Sequence, residues 1–359
     1  MIASSPDRHR PSAAPTLVDV AAHAGVSRQT VSNVINTPSR VRSVTRERVE
    51  RAIAELGYHP NRGAQNLRSQ ATRLLGYRVA PTPAGAINIV LDRFLHALTA
   101  TAKDQGYQLL LFSSQDGEEE LEAYDELLRT RSVDGFVISE TNYDDPRIER
   151  LLERGAPFAV FGRTGSSMQH GWVDVDNASG TRQATEHLLT SGRRRIAYLG
   201  WPTGSITGDE RERGYREALV AAGVAVEEGL HGRGNDAVET GRAVTERWLH
   251  GEEPPDAVVA ASDLLAIGVL HAAHERGLTV GRDLAVTGFD DTPTAAFLTP
   301  SLTSVRQPLE AVATEVTRQL IAAIGGVDAT PVDRLLAPHL VVRASTKGDA
   351  GSGPGDIRP

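Results

Sequence analysis

The stretch Thr16-Leu-Val-Asp-Val-Ala-Ala-His-Ala-Gly-Val-Ser-Arg-Gln-Thr-Val-Ser-Asn-Val-Ile-Asn36 decides the architecture of the first part of this chain. Val18, Val20, Ala21 and Ala24 recur at near-helical spacing, and Gly25 stands where a helix should stop. Ser27 is placed to cap a second helix whose apolar stripe is Val31, Val34 and Ile35. Arg28, Gln29, Ser32, Asn33 and Asn36 are left facing outward, and all of them carry donors that suit base edges or phosphates. Two short helices on a tight turn, with such a face, make a unit able to enter a DNA major groove. An ordinary αα-hairpin with a solvated polar face has the same pattern, so the surroundings must decide.

Charge is the first of those surroundings. The whole chain of 359 residues carries a formal charge of −8, yet residues 1–73 hold 11 Lys+Arg against 5 Asp+Glu. The remainder holds 27 against 41, so a basic head precedes an acidic body. That asymmetry implies that the head alone meets a polyanion. The only lysines are Lys103 and Lys347, which excludes a phosphate loop of the Gly-Lys-Ser/Thr kind. With no cysteine, disulfides, thiolate zinc ligands and thiol nucleophiles are excluded, and a reducing cytoplasm is the expected location. Residues 1–14 lack an apolar run and read as a disordered arm rather than a signal peptide; no stretch is long and apolar enough to span a bilayer, so no membrane partner is expected.

A third helix is expected over Val44 to Leu56, with Val49, Ala52, Ile53 and Leu56 inward and Gly57 ending it. This completes a helix-turn-helix domain over 15–60. Residues 61–72 are polar, with one conspicuous leucine, Leu67, and read as a hinge helix or linker that orders when held. From 73 to 345 strand-like and helical runs alternate, which implies parallel sheets with right-handed crossovers. Strands are read at 74–79, 108–113, 135–139, 158–162, 195–200, 257–261 and 284–289. Helices are read at 90–105, 118–131, 146–154, 178–191, 209–222, 237–250, 263–276 and 308–324. The length suits two doubly wound lobes, with ligands at the carboxyl ends of the strands. Residues 346–359 read as a disordered tail.

The chain resembles the LacI/GalR family of bacterial transcription regulators over nearly its whole length. The head carries Thr16-Leu-x-Asp-Val-Ala-x-x-Ala-Gly-Val-Ser-x-x-Thr-Val-Ser-x-Val-x-Asn36, then Val44-Thr-Arg and Leu56-Gly-Tyr-x-Pro-Asn61. The body carries Asp176-Asn177, Arg211-x-x-Gly214-Tyr215, Ser262-Asp263, Gly288-Phe289-Asp290-Asp291 and Leu302-Thr-Ser-Val-Arg-Gln307. The resemblance implies a helix-turn-helix head on two lobes of periplasmic-binding-protein type. It implies that Arg28, Gln29 and Asn33 read bases, and that Thr16, Ser32, Asn36, Tyr58 and Asn61 meet phosphates, with Ser27, Thr30 and Ala64 also at the DNA. Arg28 suits guanine, and Gln29 or Asn33 suits adenine, at about 1–3 kcal/mol per good pair. Asn33 stands where many relatives carry Arg. Leu67 matches a minor-groove wedge, its alternative being a contact against the body.

For the ligand cleft the resemblance implies Arg211 and Asp290 as partners of effector hydroxyls. Trp201, after a strand, is the candidate ring to stack on a sugar; a hydrophobic lid over the sheet edge is the alternative. Arg163 is a second candidate, with Asn88, Glu140 and Ser262 beside it. Asp263 and Asp291 suit helix caps as well as a pocket. Trp172 and Trp248 read as core or interface residues.

Catalysis finds no support: His271 and His274 share a helix face without a third ligand, and the Gly229–Gly234 glycines read as a loop. No cofactor is expected. The expectation is a homodimeric repressor on a near-palindromic operator, released by a small sugar. The alternatives are a purine- or nucleoside-responsive co-repressed regulator, and a solute-binding protein, which would have no use for the head.

Overall fold

The computed structural model describes residues 15–58, 71–81, 88–165, 170–326 and 332–347. The chain divides into two compact units, Met1–Thr72 and Arg73–Pro359.

The first unit is helical. Helix α1 (Leu17–Ala24) starts at Thr16, whose hydroxyl accepts from the Asp19 backbone at 3.4 Å while the Asp19 carboxylate accepts from the Thr16 amide at 2.8 Å. This reciprocal box satisfies two donors that a helix start would otherwise leave orphaned. Gly25, at φ 61°, ends the helix in the left-handed region that only glycine enters without strain. Ser27 then caps α2 (Arg28–Asn36), accepting from Thr30 N at 3.1 Å. A one-turn 3-10 helix (Pro38–Arg40) leads to α3 (Ser43–Leu56), closed by Gly57 at φ 61°.

Val20, Ala21, Ala24, Val31, Val34, Val49, Ala52 and Tyr58 form the small core. Val18, read from sequence as part of the stripe, is instead 50% exposed, and Leu17 packs in its place. At 100° per residue, 17, 20, 21 and 24 share one face and 18 turns off it. Helix α3 begins at Ser43, one residue earlier than expected, and leaves Val44 exposed.

The second unit holds two six-stranded sheets. The first runs β11-β5-β4-β3-β1-β2, all parallel: β1 (Leu74–Arg78), β2 (Gln108–Phe112), β3 (Gly135–Ile138), β4 (Phe158–Phe161), β5 (Trp172–Val175) and β11 (Arg334–Leu336). Helices α4 (Ile89–Asp104), α5 (Glu118–Arg129), α6 (Pro146–Glu153) and α12 (Leu309–Ile324) cover it. The second runs β12-β10-β9-β8-β6-β7: β6 (Ile196–Gly200), β7 (His231–Arg233), β8 (Ala257–Ala260), β9 (Ala285–Asp290), β10 (Thr303–Arg306) and an antiparallel β12 (His339–Val341). Helices α7 (Asn177–Thr190), α8 (Ile206–Ala221), α9 (Val238–Leu249), α10 (Asp263–Glu275) and α11 (Pro293–Phe297) belong to this lobe. The chain passes between lobes after β5, after β10 and after β11, so neither lobe is a continuous segment.

The seven strands read from sequence are all present. Five others, β5, β7, β10, β11 and β12, were not read, being three or four residues long and mixed in polarity. Strand β7 and the 3-10 turn Glu228–Leu230 replace the loop expected around Gly232. Helix α8 starts at Ile206, three residues early, because Ser205 caps it by accepting from Gly208 N. Thr346, expected in the disordered tail, is buried, its hydroxyl bonded to His187 and to Thr303. Those two partners lie more than forty residues away in sequence, so no local signal marks the end of the fold there.

Gly214 positions α8. A Cβ there would lie 2.0 Å from the Ala178 carbonyl oxygen, so α8 lies against α7 only because the side chain is absent. That contact sets where Arg211, one turn earlier on α8, reaches.

Candidate functional site

On the first unit, α2 buries Val31 and Val34 and turns Arg28, Gln29 and Asn36 outward. Arg28 is exposed and makes no hydrogen bond or ion pair among the described residues. Its guanidinium is free for a bidentate acceptor. Gln29 Nε2 donates to Asn33 Oδ1 at 3.0 Å, one helical turn on. Asn36 Nδ2 is committed to the Ser32 carbonyl at 2.8 Å and approaches the Ser32 hydroxyl at 3.3 Å. Ser27 and Thr30 share a hydroxyl–hydroxyl bond of 2.9 Å at the start of the helix.

Thr16 is spent on its capping box. Tyr58 is buried among the core side chains of the head, so its ring is structural first. Arg40 and Arg42, exposed just beyond α2, were not singled out from sequence; their only signal was the basic composition of the head. Asn61, Ala64 and Leu67 lie outside the described residues.

In the second unit the chemistry gathers at the carboxyl ends of the second sheet. Arg211, 3% exposed, donates from Nε to Asn177 Oδ1 at 3.0 Å and from Nη1 to the Ala261 carbonyl at 2.5 Å, and Nη1 lies 3.5 Å from Asp290 Oδ1. Its guanidinium carbon sits 3.6 Å from the Phe289 ring centroid and 5.0 Å from that of Trp201. Two aromatic faces and three oxygens therefore hold one cation in place. Nη2 makes no hydrogen bond among the described residues.

Asp290 lies beside it in a left-handed conformation, φ 107°, and accepts from Gln307 Nε2 at 2.7 Å. Burial pushes its carboxyl far above the usual carboxylate range, to about 8, against the pull of Arg211. Phe289 was not read from sequence as part of this site; its position one residue before Asp290 was the available signal.

Arg211 takes up a face of the Trp201 ring that the sequence reading reserved for a sugar. The Trp201 indole N–H is buried and has no partner among the described residues. Ser262 caps α10, accepting from Leu265 N at 3.2 Å, and donates to Asp236, which sequence reasoning missed. Asp263 braces the lobe, accepting from Thr292 N at 2.7 Å and from the Ser304 hydroxyl at 2.6 Å. Asp291 pairs with Arg306 and Arg343. Both acids serve the framework around the site.

The remaining candidates belong to the first lobe. Asn88 caps α4 through Leu91 N at 3.1 Å. Glu140 is exposed, with φ 54°. No hydrogen bond or ion pair among the described residues joins either to Arg211 or Asp290. Arg163 packs over Trp172 and bonds Asp174 at 2.8 Å and, across the cleft, Glu210 at 3.1 Å. Tyr143 also crosses, donating to Asp209 at 3.2 Å, and Arg93 donates to the carbonyls of Asp290 and Asp291 at 3.4 Å each.

A buried network of Arg78, Glu120, Asp145 and Arg147 lies at the carboxyl edge of the first sheet. It was not legible in sequence because its members come from three separate segments, Arg78, Glu120 and the pair Asp145 and Arg147. Trp248 packs on the second-lobe core and donates to the Gly229 carbonyl at 3.0 Å. His271 and His274 are exposed on α10, and among the described residues no three His, Cys, Asp or Glu side chains gather as a metal site.

Residues 16–61 match the family model described as "Bacterial regulatory proteins, lacI family", and residues 185–346 match a "Periplasmic binding protein-like domain". The HTH-type transcriptional regulator CelR of Thermobifida fusca is 39% identical over 339 residues, 92% of this chain and 98% of the relative. MalR of Streptomyces coelicolor is 33% identical over 346 residues, 93% and 97%. Among solved structures, a CelR–cellobiose complex has a TM-score of 0.71 at 37% identity, covering 92% of this chain and 99% of that one. A lac repressor dimer bound to operator and an anti-inducer has a TM-score of 0.81 at 29% identity, covering 93% and 99%.

Proposed function

The chain belongs to the lacI family of bacterial regulatory proteins, DNA-binding transcription regulators, and from that premise we propose a repressor released from its operator by a small sugar. The observation that carries the sugar is Arg211: a buried cation stacked between Phe289 and Trp201, with Nη2 uncommitted and the Asp290 carboxyl beside it. A guanidinium and a carboxyl at one place suit the donor-and-acceptor character of vicinal hydroxyls. The relative solved with cellobiose makes that disaccharide the first to try.

The same residues reach the passages between lobes. Arg211 holds Asn177, just after β5, and Asp290 holds Gln307, just after β10. A ligand that engages Arg211 and Asp290 therefore pulls on the segments about which the lobes reorient. In our reading the protein is a cytoplasmic homodimer, with two heads on the halves of a near-palindromic operator. Lobe reorientation changes the spacing of the heads through the segment 61–72, so ligand and operator affinity are coupled. Among the described residues no helix is long and apolar enough to cross a membrane.

The test is a thermal-shift screen of mono- and disaccharides and nucleobases on the purified protein, followed by gel shifts on its own promoter fragment with each hit. A sugar that stabilises the protein and weakens the shifted band supports the reading. A nucleobase that strengthens the band supports the co-repressed alternative, and the absence of any promoter preference over bulk DNA overturns both.

A further inference from the structure

On α2 the hydrogen bond from Gln29 Nε2 to Asn33 Oδ1, 3.0 Å long, joins two side chains that a sequence reading treats as interchangeable readers of adenine. An amide carries one acceptor oxygen and two N–H donors, and reads adenine by using its oxygen on N6–H and one N–H on N7. Gln29 can do this with its outer edge while the other N–H serves Asn33. For Asn33 the same pairing would require its one oxygen to accept from Gln29 and from N6–H at once, through both lone pairs. Asn33 Nδ2 makes no hydrogen bond among the described residues, which leaves two donors, and the base edge that offers acceptors to match is guanine N7 and O6.

Arg28 has no such partner on this helix, and Asn36 is occupied by Ser32, so the pairing of 29 with 33 is specific. We propose that Gln29 and Asn33 read DNA as a coupled pair, Gln29 taking an adenine and biasing Asn33 to read guanine through its two N–H donors. This rests on the head being a DNA reader, and it adds that base preference at the position under Asn33 is set by Gln29.

The experiment is selection of bound duplexes from a random-sequence library by the full-length protein, comparing wild type, Gln29→Ala, Asn33→Ala, Asn33→Asp and the double alanine variant. Residues 29 and 33 are not in the buried core of the head, so each variant keeps the fold. Losing Gln29 should remove the adenine preference and also relax the neighbouring guanine preference by roughly tenfold, as the Asn33 oxygen is released from Gln29. Asn33→Asp should replace guanine by cytosine, whose N4 donates to a carboxylate. If Gln29→Ala leaves the preference under Asn33 intact, so that the single variants combine additively, the coupling is overturned. If wild type selects no sequence at all, the DNA-reading premise falls and the coupling with it.

Discussion

Glu210, in the second turn of α8, accepts a hydrogen bond of 3.1 Å from Nη2 of Arg163, and the two residues belong to different lobes. Arg163 is in turn held by the buried Asp174 at 2.8 Å, so the cation is fixed on the first lobe and reaches across to the second. With Tyr143–Asp209 alongside, it forms a strap between the lobes at the start of the helix that carries Arg211.

Removing the strap should ease lobe opening without unfolding either lobe. Glu210→Gln keeps the shape and removes the charge. Glu210 also pairs with Arg213 at 2.6 Å, so the change weakens two ion pairs at the lobe surface, each worth about 1 kcal/mol or less. We expect faster amide exchange in the segments after β5 and β10, with little change in melting temperature. Unchanged exchange there would mean that the contact does not restrain closure.

Arg211→Lys should abolish the ligand response while leaving operator binding intact. A lysine keeps the charge next to Asp290 but cannot stack between Phe289 and Trp201 or offer a planar fork. Arg211→Ala is the harsher change, because it also removes the hydrogen bonds to Asn177 and the Ala261 carbonyl and leaves a void between the rings. Gel shifts with and without a stabilising sugar check the first; a lysine variant that responds normally would place the ligand elsewhere.

Arg28→Ala should weaken operator binding by about 1–3 kcal/mol and relax preference at one base pair. Titration on operator and on mismatched duplexes separates this from a loss of phosphate contact, which would weaken every duplex alike.

The pH dependence follows from Asp290. Its folded carboxyl is raised to about 8, whereas an unfolded aspartate loses its proton near 4. Between those values the folded chain holds a proton that the unfolded chain has released, so this residue's contribution to stability is largest at low pH and declines as pH climbs toward 8. Asp290→Asn cannot titrate, and its stability relative to wild type should grow from pH 5 to pH 8. Denaturant melts across that window check it; a constant difference would show that Arg211 keeps the carboxylate ionised throughout.

Much of this molecule was legible because its signals are local. Thr16 and Ser27 as caps, Gly25 and Gly57 as stops, and the seven more apolar strands are all written in neighbouring residues. The unread strands and the misplaced end of the fold share one cause. Strand β12 forms against β10 from more than thirty residues away, and β11 completes a sheet begun at residue 74. Thr346 is ordered by His187 and Thr303, not by its neighbours.

The sites divide in the same way. From sequence, Arg28, Gln29 and Asn33 are on one face of one short helix, since spacing along a helix determines facing. Arg211 and Asp290 were expected together only by resemblance, and it took the crossing of α7 and α8 at Gly214, and the strand order of the second sheet, to set them 3.5 Å apart. The tertiary structure alone decided that Arg163 straps the lobes, that Ser262 is spent on a cap and on Asp236, and that Gln29 holds Asn33. Periodicity specifies which way a residue points along its own element. Which side chain then meets its hydrogen-bonding capacity depends on what the fold brings beside it, and on the rotamers that neighbour allows.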